Sequence, residues 1–258
     1  MINTFSIFYY GHNITSDNLN LPFDEGSGEI SAELTIGSNT LSEFVVNLEN
    51  ALNASSVSRV FSVSVDRSTR LITISADGVF DLLTLTGSTV GTSCFTLAGF
   101  TLTADLMGQS SYTGSFGSGS VYEPQFMLQS YVDKENFVES ASASVNESAS
   151  GNVEVVRFGE RLFYEFDIKF ITNLTMDGKV IKNNPTGLED ARLFLREITT
   201  RNKFEFIPNI DDKNTFDKVI LEQIPGNQTA TGFKLKELFT QNLPNIYETG
   251  IIKLRVVT

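Results

Sequence analysis

The chain has 258 residues, of which 41 % are hydrophobic, so it can form a folded core and global disorder is excluded. It carries 31 acidic and 19 basic residues, a formal net charge of −12, which excludes nucleic acid as a partner for the whole surface. The single histidine, His12, and single cysteine, Cys94, exclude an internal disulfide and a zinc site built from Cys and His ligands.

The first hundred residues predict a compact α+β unit. The alternation of polar and apolar residues predicts strands, and an apolar spacing of three and four predicts an amphipathic helix behind a polar capping segment. A return to alternation on both sides of a polar turn predicts a β-hairpin. In chain order these elements are a strand at 5–10 ending in a turn at 11–13, a strand at 29–37, a helix at 41–52 and a hairpin at 61–74.

The middle of the chain, residues 108–150, is interpreted as a flexible arm or linker region with an extended segment. Gly and Ser dominate residues 108–120, and a second stretch at 140–151 is rich in Ser, Ala and Asn. Aromatic side chains in such a region have little core to enter, so we expect them to contact a partner. The candidate intersubunit contacts are Tyr112, Phe116, Tyr122, Phe126, Tyr131 and Phe137. Deletion of residues 108–120 is then expected to spare the folded domains while impairing assembly.

The C-terminal part is predicted to be a β-rich domain with one or two short helices. Residues 160–172 alternate as a strand, 187–198 have helical spacing, and 235–243 predict a second short helix. The predicted fold class is α+β or mostly β, with two small β-rich domains. The predicted boundaries are 1–107 for an N-terminal α+β domain, 108–150 for the linker region and 151–258 for a C-terminal domain.

The acidic residues are unevenly distributed along the chain. Residues 1–130 carry 12 acidic and 3 basic residues. This imbalance is typical of a solvated acidic surface, and it also fits an acidic module that docks on a basic neighbour. The chain start lacks a basic segment followed by an apolar one, and no apolar run reaches membrane-spanning length, so we expect synthesis in a reducing cytoplasm and no membrane partner.

The residues that could carry chemistry do not form a catalytic pattern. His12 stands in a turn-like setting without a nucleophile motif, so it is predicted to be structural. Adjacent carboxylates on a strand point to opposite faces, which disfavours a glycosidase pair. Residues 108–119 lack the motif of a phosphate-binding loop, and Cys94 lies in an apolar run as a small core residue. The adjacent carboxylate pairs are Asp24 and Glu25, Glu189 and Asp190, and Asp211 and Asp212. We therefore expect no enzyme activity, no cofactor and no metal.

Three groups of segments resemble structural proteins of tailed-bacteriophage particles. They combine an aromatic N-terminal run, a strand–helix–hairpin unit closed by Leu-Ala-Gly-Phe, and a later strand, helix and strand. The segments are residues 8–15 and 21–26; 33–37, 41–52, 61–75 and 97–100; and 160–172, 187–198 and 204–208.

The resemblance implies a non-enzymatic virion component of the tail, baseplate or neck. It would be made in the host cytoplasm and assemble in several copies, as a homo-oligomeric ring contacting other virion proteins through β-edges and extended arms. Two alternatives remain open. One is a capsid-decoration or host-surface-binding adhesin module, and the other is a particle-borne enzyme that degrades polysaccharide.

Overall fold

The chain folds into a mostly β structure in the computed structural model, which confirms the predicted fold class. Residues 7–122, 127–129, 143–147, 153–157, 162–169, 171, 175–176, 179–180, 188–200, 203–209, 211–222, 228–229, 232–233, 235–237 and 246–257 are described. The helices within these ranges are α1 (Leu41–Ser55) and α2 (Leu188–Thr200), and a single 3-10 turn covers Val90–Thr92.

Strands are the most frequent regular elements among the described residues. They are β1 (Ile7–Ile14), β2 (Asn20–Asp24), β3 (Glu29–Glu33), β4 (Gly37–Asn39), β5 (Phe61–Asp66), β6 (Leu71–Leu82), β7 (Leu106–Thr113), β8 (Ser120–Tyr122), β9 (Met127–Gln129), β10 (Ala143–Glu147), β11 (Val153–Arg157), β12 (Phe163–Ile168), β13 (Thr175–Met176), β14 (Lys179–Val180), β15 (Phe204–Ile207), β16 (Asp217–Glu222), β17 (Gln228–Thr229), β18 (Gly232–Phe233), β19 (Lys236–Glu237), β20 (Tyr247–Glu248) and β21 (Ile251–Val256). The first strand continues through the predicted turn at residues 11–13.

The chain forms two compact units. The N-terminal unit comprises residues 7–121 together with 203–216, and the C-terminal unit takes its described residues from 122–202 and 217–258. This division differs from the predicted boundaries in two places. Residues 108–121 belong to the N-terminal unit, and so does a segment from the second half of the chain. Both segments pair as strands with the N-terminal unit, and sequence composition does not report such long-range pairing.

The core of the N-terminal unit lies between α1 and a five-stranded sheet. The strands pair in the order β3-β2-β6-β5. Strand β6 is long enough to pair with β2 near one end and with β5 near the other, and β7 pairs along its opposite edge. Four aromatic rings form a row through the core, and each ring packs edge to face on the next. The centroids of successive rings are 5.0–5.4 Å apart, within the range preferred by aromatic pairs. These rings are Phe23, Phe61, Phe80 and Tyr112. The predicted hairpin forms as β5 and β6, with Val63 opposite Ile74.

Helix α1 matches the helical spacing in the sequence. Thr40 is its N-cap, and Thr40 and Glu43 form a reciprocal capping box that satisfies two backbone N–H groups at the helix start. The residues of α1 that are buried are Leu41, Phe44, Leu48, Ala51 and Leu52. The predicted apolar face is therefore the face that enters the core.

Strand pairing and one buried carboxylate attach residues 203–216 to the N-terminal unit. β15 pairs antiparallel with β1. Glu205 has no exposed surface, and it accepts hydrogen bonds from the backbone N–H and Oγ of Ser42, at 3.1 and 2.9 Å. Arg67 donates to its other oxygen at 2.9 Å and lies 3.6 Å from the ring centre of Phe216. The first turn of α1 thus binds a negative charge, as the helix dipole favours.

In the C-terminal unit, strands pair antiparallel in the order β16-β21-β12-β9. Phe163, Tyr164, Phe166 and Ile168 of β12 are buried, which agrees with the predicted strand in this region. Helix α2 confirms the predicted helix at 187–198. The predicted short helix at 235–243 is wrong where the structure describes it, because Lys236 and Glu237 form β19 paired with β20. Cross-strand pairing overrides the local helical preference there.

Candidate functional site

Strand β7 forms an outer edge of the N-terminal sheet. Within the part of the chain that the structure describes, β7 pairs with β6 alone. Its sequence, Leu-Met-Gly-Gln-Ser-Ser-Tyr-Thr, contains neither a charged residue nor a proline. All its residues except Leu106 and Tyr112 are exposed, and Met107 is 64 % exposed. The strand therefore presents an uncharged edge to its surroundings.

The direction of the backbone groups of β7 follows from its register. Ile74 faces Tyr112, and the N–H of Gly114 donates to the carbonyl of Ile72 at 2.8 Å. Hydrogen-bonded and non-hydrogen-bonded pairs alternate along an antiparallel ladder. The N–H and C=O groups of Ser111 and Thr113 consequently point away from β6. These are the groups through which a further strand would pair.

The outer face of the same strands carries a regular array of hydroxyl groups. The register of β5, β6 and β7 places side chains in two rows across the sheet, and neither row contains a charge. In the first row the Oγ atoms of Ser75 and Ser111 are 2.8 Å apart, and in the second those of Thr73 and Thr113 are 2.9 Å apart. The rows are Ser62–Ser75–Ser111 and Ser64–Thr73–Thr113.

Tyr112 is a core residue, although the sequence suggested an intersubunit contact. It is 6 % exposed, its hydroxyl donates to the carbonyl of Phe80 at 2.9 Å, and it accepts from the backbone N–H of Gln109 at 3.0 Å. Burial and the charge of Asp81 raise the pKa of Tyr112 despite the bond from Gln109. The ring fixes β7 to the core and leaves its neighbours Ser111 and Thr113 facing outward.

The predicted flexible linker is wrong for residues 108–121, which contain most of β7 and a tightly packed turn. Gly99 and Gly119 both have positive φ angles, and a Cβ on either would lie within 2.6 Å of another group. Such positions require glycine. The Oγ of Ser118 donates to the carbonyl of Leu97 at 2.7 Å, and Arg70 donates to the carbonyl of Gly119 at 2.9 Å. Gly and Ser here permit close packing, so deletion of 108–120 would remove part of the core.

His12 is structural, as predicted, but it lies in β1. It is 1 % exposed, its ring stacks on Phe44 with centroids 3.9 Å apart, and its Nε2 is 2.7 Å from the Oγ of Ser118. Because Ser118 uses its hydrogen toward Leu97, we assign the Nε2–H tautomer to His12. The imidazole thus holds the turn that follows β7.

The remaining candidate contacts divide into three groups. Phe116 is 40 % exposed at the turn after β7, where it is available to a partner. Tyr122 is fully buried in the C-terminal unit, with its ring 4.6 Å from that of Phe194, so it is a core residue. The other three, Phe126, Tyr131 and Phe137, lie outside the described residues.

The carboxylates singled out at the end of β2 and in the turn after it, Asp24 and Glu25, act as turn and cap residues. Asp24 accepts hydrogen bonds from the N–H groups of Gly26 and Gly28. Glu25 is 7 % exposed and accepts bonds from Ser56, Val57 and Ser58. No group of three or more His, Cys, Asp or Glu side chains in the described ranges is arranged to hold a metal ion.

Sequence reasoning missed both Glu205 and the hydroxyl rows. The alternation Phe-Glu-Phe-Ile around Glu205 is typical of a half-exposed strand, and it gives no signal of burial. The hydroxyl rows had a signal in the alternating Ser-Val-Ser of β5 and Ile-Thr-Ile-Ser of β6. Only the cross-strand register could align them.

No protein-family model matches the chain, and a search of curated proteins found no sequence match. Of the helices that the structure describes, none is both long and apolar enough to cross a membrane.

Proposed function

We propose that this chain is a non-enzymatic structural component of a tailed-phage particle, assembling in several copies in the tail, baseplate or neck. The observation that carries the proposal is the edge of β7, which is exposed, uncharged and directs backbone groups outward at Ser111 and Thr113. An unprotected sheet edge is a template for another strand, and folded proteins usually shield such edges with charge or proline. An edge without these features suits a protein that assembles by strand pairing.

The side chains around this edge support a role in binding rather than in turnover. Asp81 accepts a hydrogen bond from the N–H of Gly108 at 2.6 Å, and Asp105 accepts from the N–H groups of Leu85 and Thr86. Asp81 thus binds the backbone near the start of β7, and Asp105 binds the loop backbone at residues 85–86. What the strand itself offers a partner is backbone hydrogen bonds and hydroxyl groups, which bind without reacting.

The assignment to a phage particle rests on the sequence resemblance to virion proteins, and the proposed mode of assembly rests on the exposed edge of β7. The test is mass spectrometry of purified particles combined with antibody labelling in negative-stain electron microscopy. Label at the tail, its tip or the neck supports the proposal. Absence of the chain from purified particles overturns it.

A capsid-decoration or host-surface-binding role is the second candidate, and the hydroxyl rows favour it. Their exposed members could donate and accept hydrogen bonds with a glycan or a capsid surface. Label spread over the capsid supports decoration. Binding of the isolated chain to a glycan array, lost in a variant that removes the exposed hydroxyls of Ser62 and Ser64, supports the adhesin role.

A further inference from the structure

We propose that β7 pairs antiparallel with β7 of a second copy of this chain, about a two-fold axis that passes beside Tyr112. The inference rests on the proposed function in one respect, the use of β7 as an assembly edge. It adds the identity of the partner and the register of the pairing.

The backbone groups of β7 suit such a two-fold axis. With Tyr112 opposite Tyr112 of the second copy, Ser111 lies opposite Thr113 of that copy, and Thr113 lies opposite its Ser111. These are the residues whose N–H and C=O groups point away from β6. Each opposed pair can therefore exchange two backbone hydrogen bonds, as the hydrogen-bonded residue pairs of an antiparallel ladder do. The bonded stretch ends at Ser115, whose N–H donates to the carbonyl of Gly99.

The side chains agree with the same register. The row Ser62–Ser75–Ser111 would continue into Thr113–Thr73–Ser64 of the second copy. The row Ser64–Thr73–Thr113 would likewise continue into Ser111–Ser75–Ser62 of that copy. Hydroxyl pairs directly across neighbouring strands stabilise a sheet. Contact through one patch on both copies closes as a dimer, because a two-fold interface is self-complementary.

The charge distribution favours a second copy over a partner of opposite charge. The chain carries a net charge of −12, so two copies repel each other over most of their surfaces. Neither β7 nor the two hydroxyl rows contains a charged residue, so the rows that meet in this register bring no like charges together. Strand β7 and the two rows also offer no carboxylate to a basic partner, and such a partner would bind better to acidic surfaces elsewhere on the chain.

The test is sedimentation equilibrium of the full chain and of two double variants. We expect wild type to dimerise reversibly, and S111E/T113E to dimerise at least tenfold more weakly, because the register sets carboxylates directly opposite carboxylates. S111K/T113K should weaken dimerisation to a similar extent, because the register then sets ammonium groups directly opposite ammonium groups. An equimolar mixture of the two variants should form heterodimers, detected by native mass spectrometry, because opposite charges then face each other at both positions.

The matched control is S62E/S64E, which adds the same charges to the same face but on β5, away from the axis. This variant should dimerise within about threefold of wild type. Recovery of heterodimers in the mixture also shows that both charged variants fold.

Two results would overturn the inference. One is a wild-type chain that stays monomeric at about 1 mM, where even a binding free energy near 4 kcal/mol gives substantial dimer. The other is self-association that S111E/T113E leaves unchanged, which would place the contact elsewhere. If the chain dimerises but is absent from particles, only the proposed function is overturned. If the chain is present in particles but stays monomeric, only the inference is overturned.

Discussion

Glu205 shows how a single residue joins distant parts of the N-terminal unit. It has no exposed surface, and its hydrogen-bond donors, Ser42 and Arg67, are 163 and 138 residues away in the sequence. A buried carboxylate is tolerated only when its oxygens are fully bonded. Here a helix start and a guanidinium provide those bonds, so this residue adds to the strand pairing that holds segment 203–209 in the unit.

We expect E205Q to lower the free energy of unfolding by about 3 kcal/mol, because removing one member of a buried ion pair leaves the other charge uncompensated. Urea unfolding followed by circular dichroism measures this. The control is E33Q, at an exposed position of β3, which should leave stability within about 0.5 kcal/mol of wild type. A loss from E205Q of less than about 1 kcal/mol, the range of exposed ion pairs, would contradict this account.

Cys94 offers a second test at the residue scale. It is fully buried, and that burial raises the pKa of its thiol to about 12. The thiolate is the reactive form, so we expect a disulfide reagent at pH 8 to modify the native chain at least a hundredfold more slowly than the urea-unfolded chain. Because the chain has one cysteine, absorbance of the released thiol reports this site alone. Complete modification of the native chain at the unfolded rate would show that the thiol is accessible.

Helix α1 is held at both ends by carboxylates from other segments. Glu205 binds its first turn, and Glu25 binds the residues that follow its last turn. Burial opposes ionisation of Glu25, but the hydrogen bonds from Ser56, Ser58 and Val57 outweigh it and lower the pKa of Glu25 from its ordinary value of 4.5. The helix is therefore tied to the β2–β3 turn by a charged group.

This link predicts a pH dependence of stability. A carboxylate whose pKa is lowered by folding stabilises the native state above its unfolded pKa, and that contribution is lost as the pH falls through the folded value. We expect E25Q to be less stable than wild type by about 2 kcal/mol at pH 7, since bonds to a charged group are the stronger kind. The difference should shrink as the pH falls below 4.5.

Urea unfolding of wild type and E25Q at a series of pH values from neutral to acidic measures this effect. E33Q again serves as the control, and its difference from wild type should not follow the same curve. A difference between E25Q and wild type that stays constant down to strongly acidic pH would mean that the charge on Glu25 is not the stabilising feature.

At the scale of the whole molecule, net charge and the sheet edge act in opposite directions. The net charge of −12 makes copies of the chain repel each other, while β7 provides an uncharged strand edge at which two copies can pair. We expect dimerisation of the full chain to strengthen several-fold when salt rises from about 0.02 M to about 0.3 M, because screening reduces the repulsion between copies and leaves strand pairing intact. Sedimentation equilibrium across this salt series measures the change. A weakening with salt would instead indicate a contact between opposite charges.

Local periodicity was enough to predict several elements. Helix α1, the β5–β6 hairpin and α2 follow from apolar spacing, because their side chains pack on one face of a regular backbone. The fold class follows from the same patterns. Composition misled at residues 108–121, because Gly and Ser are typical both of flexible linkers and of strands and turns that pack closely. The distinction depends on neighbours such as Gly99 and His12, which are distant in the sequence.

The sequence by itself determined the fold class, helices α1 and α2, the β5–β6 hairpin and the acidic net charge, because these properties depend on composition and on residues a few positions apart. Only the tertiary structure decided that Tyr112 is buried, that Glu205 is a buried anchor and that β7 is an edge. These properties depend on strand register and on which segments meet. Contacts between residues far apart in the chain set both, and the candidate assembly surface follows from them.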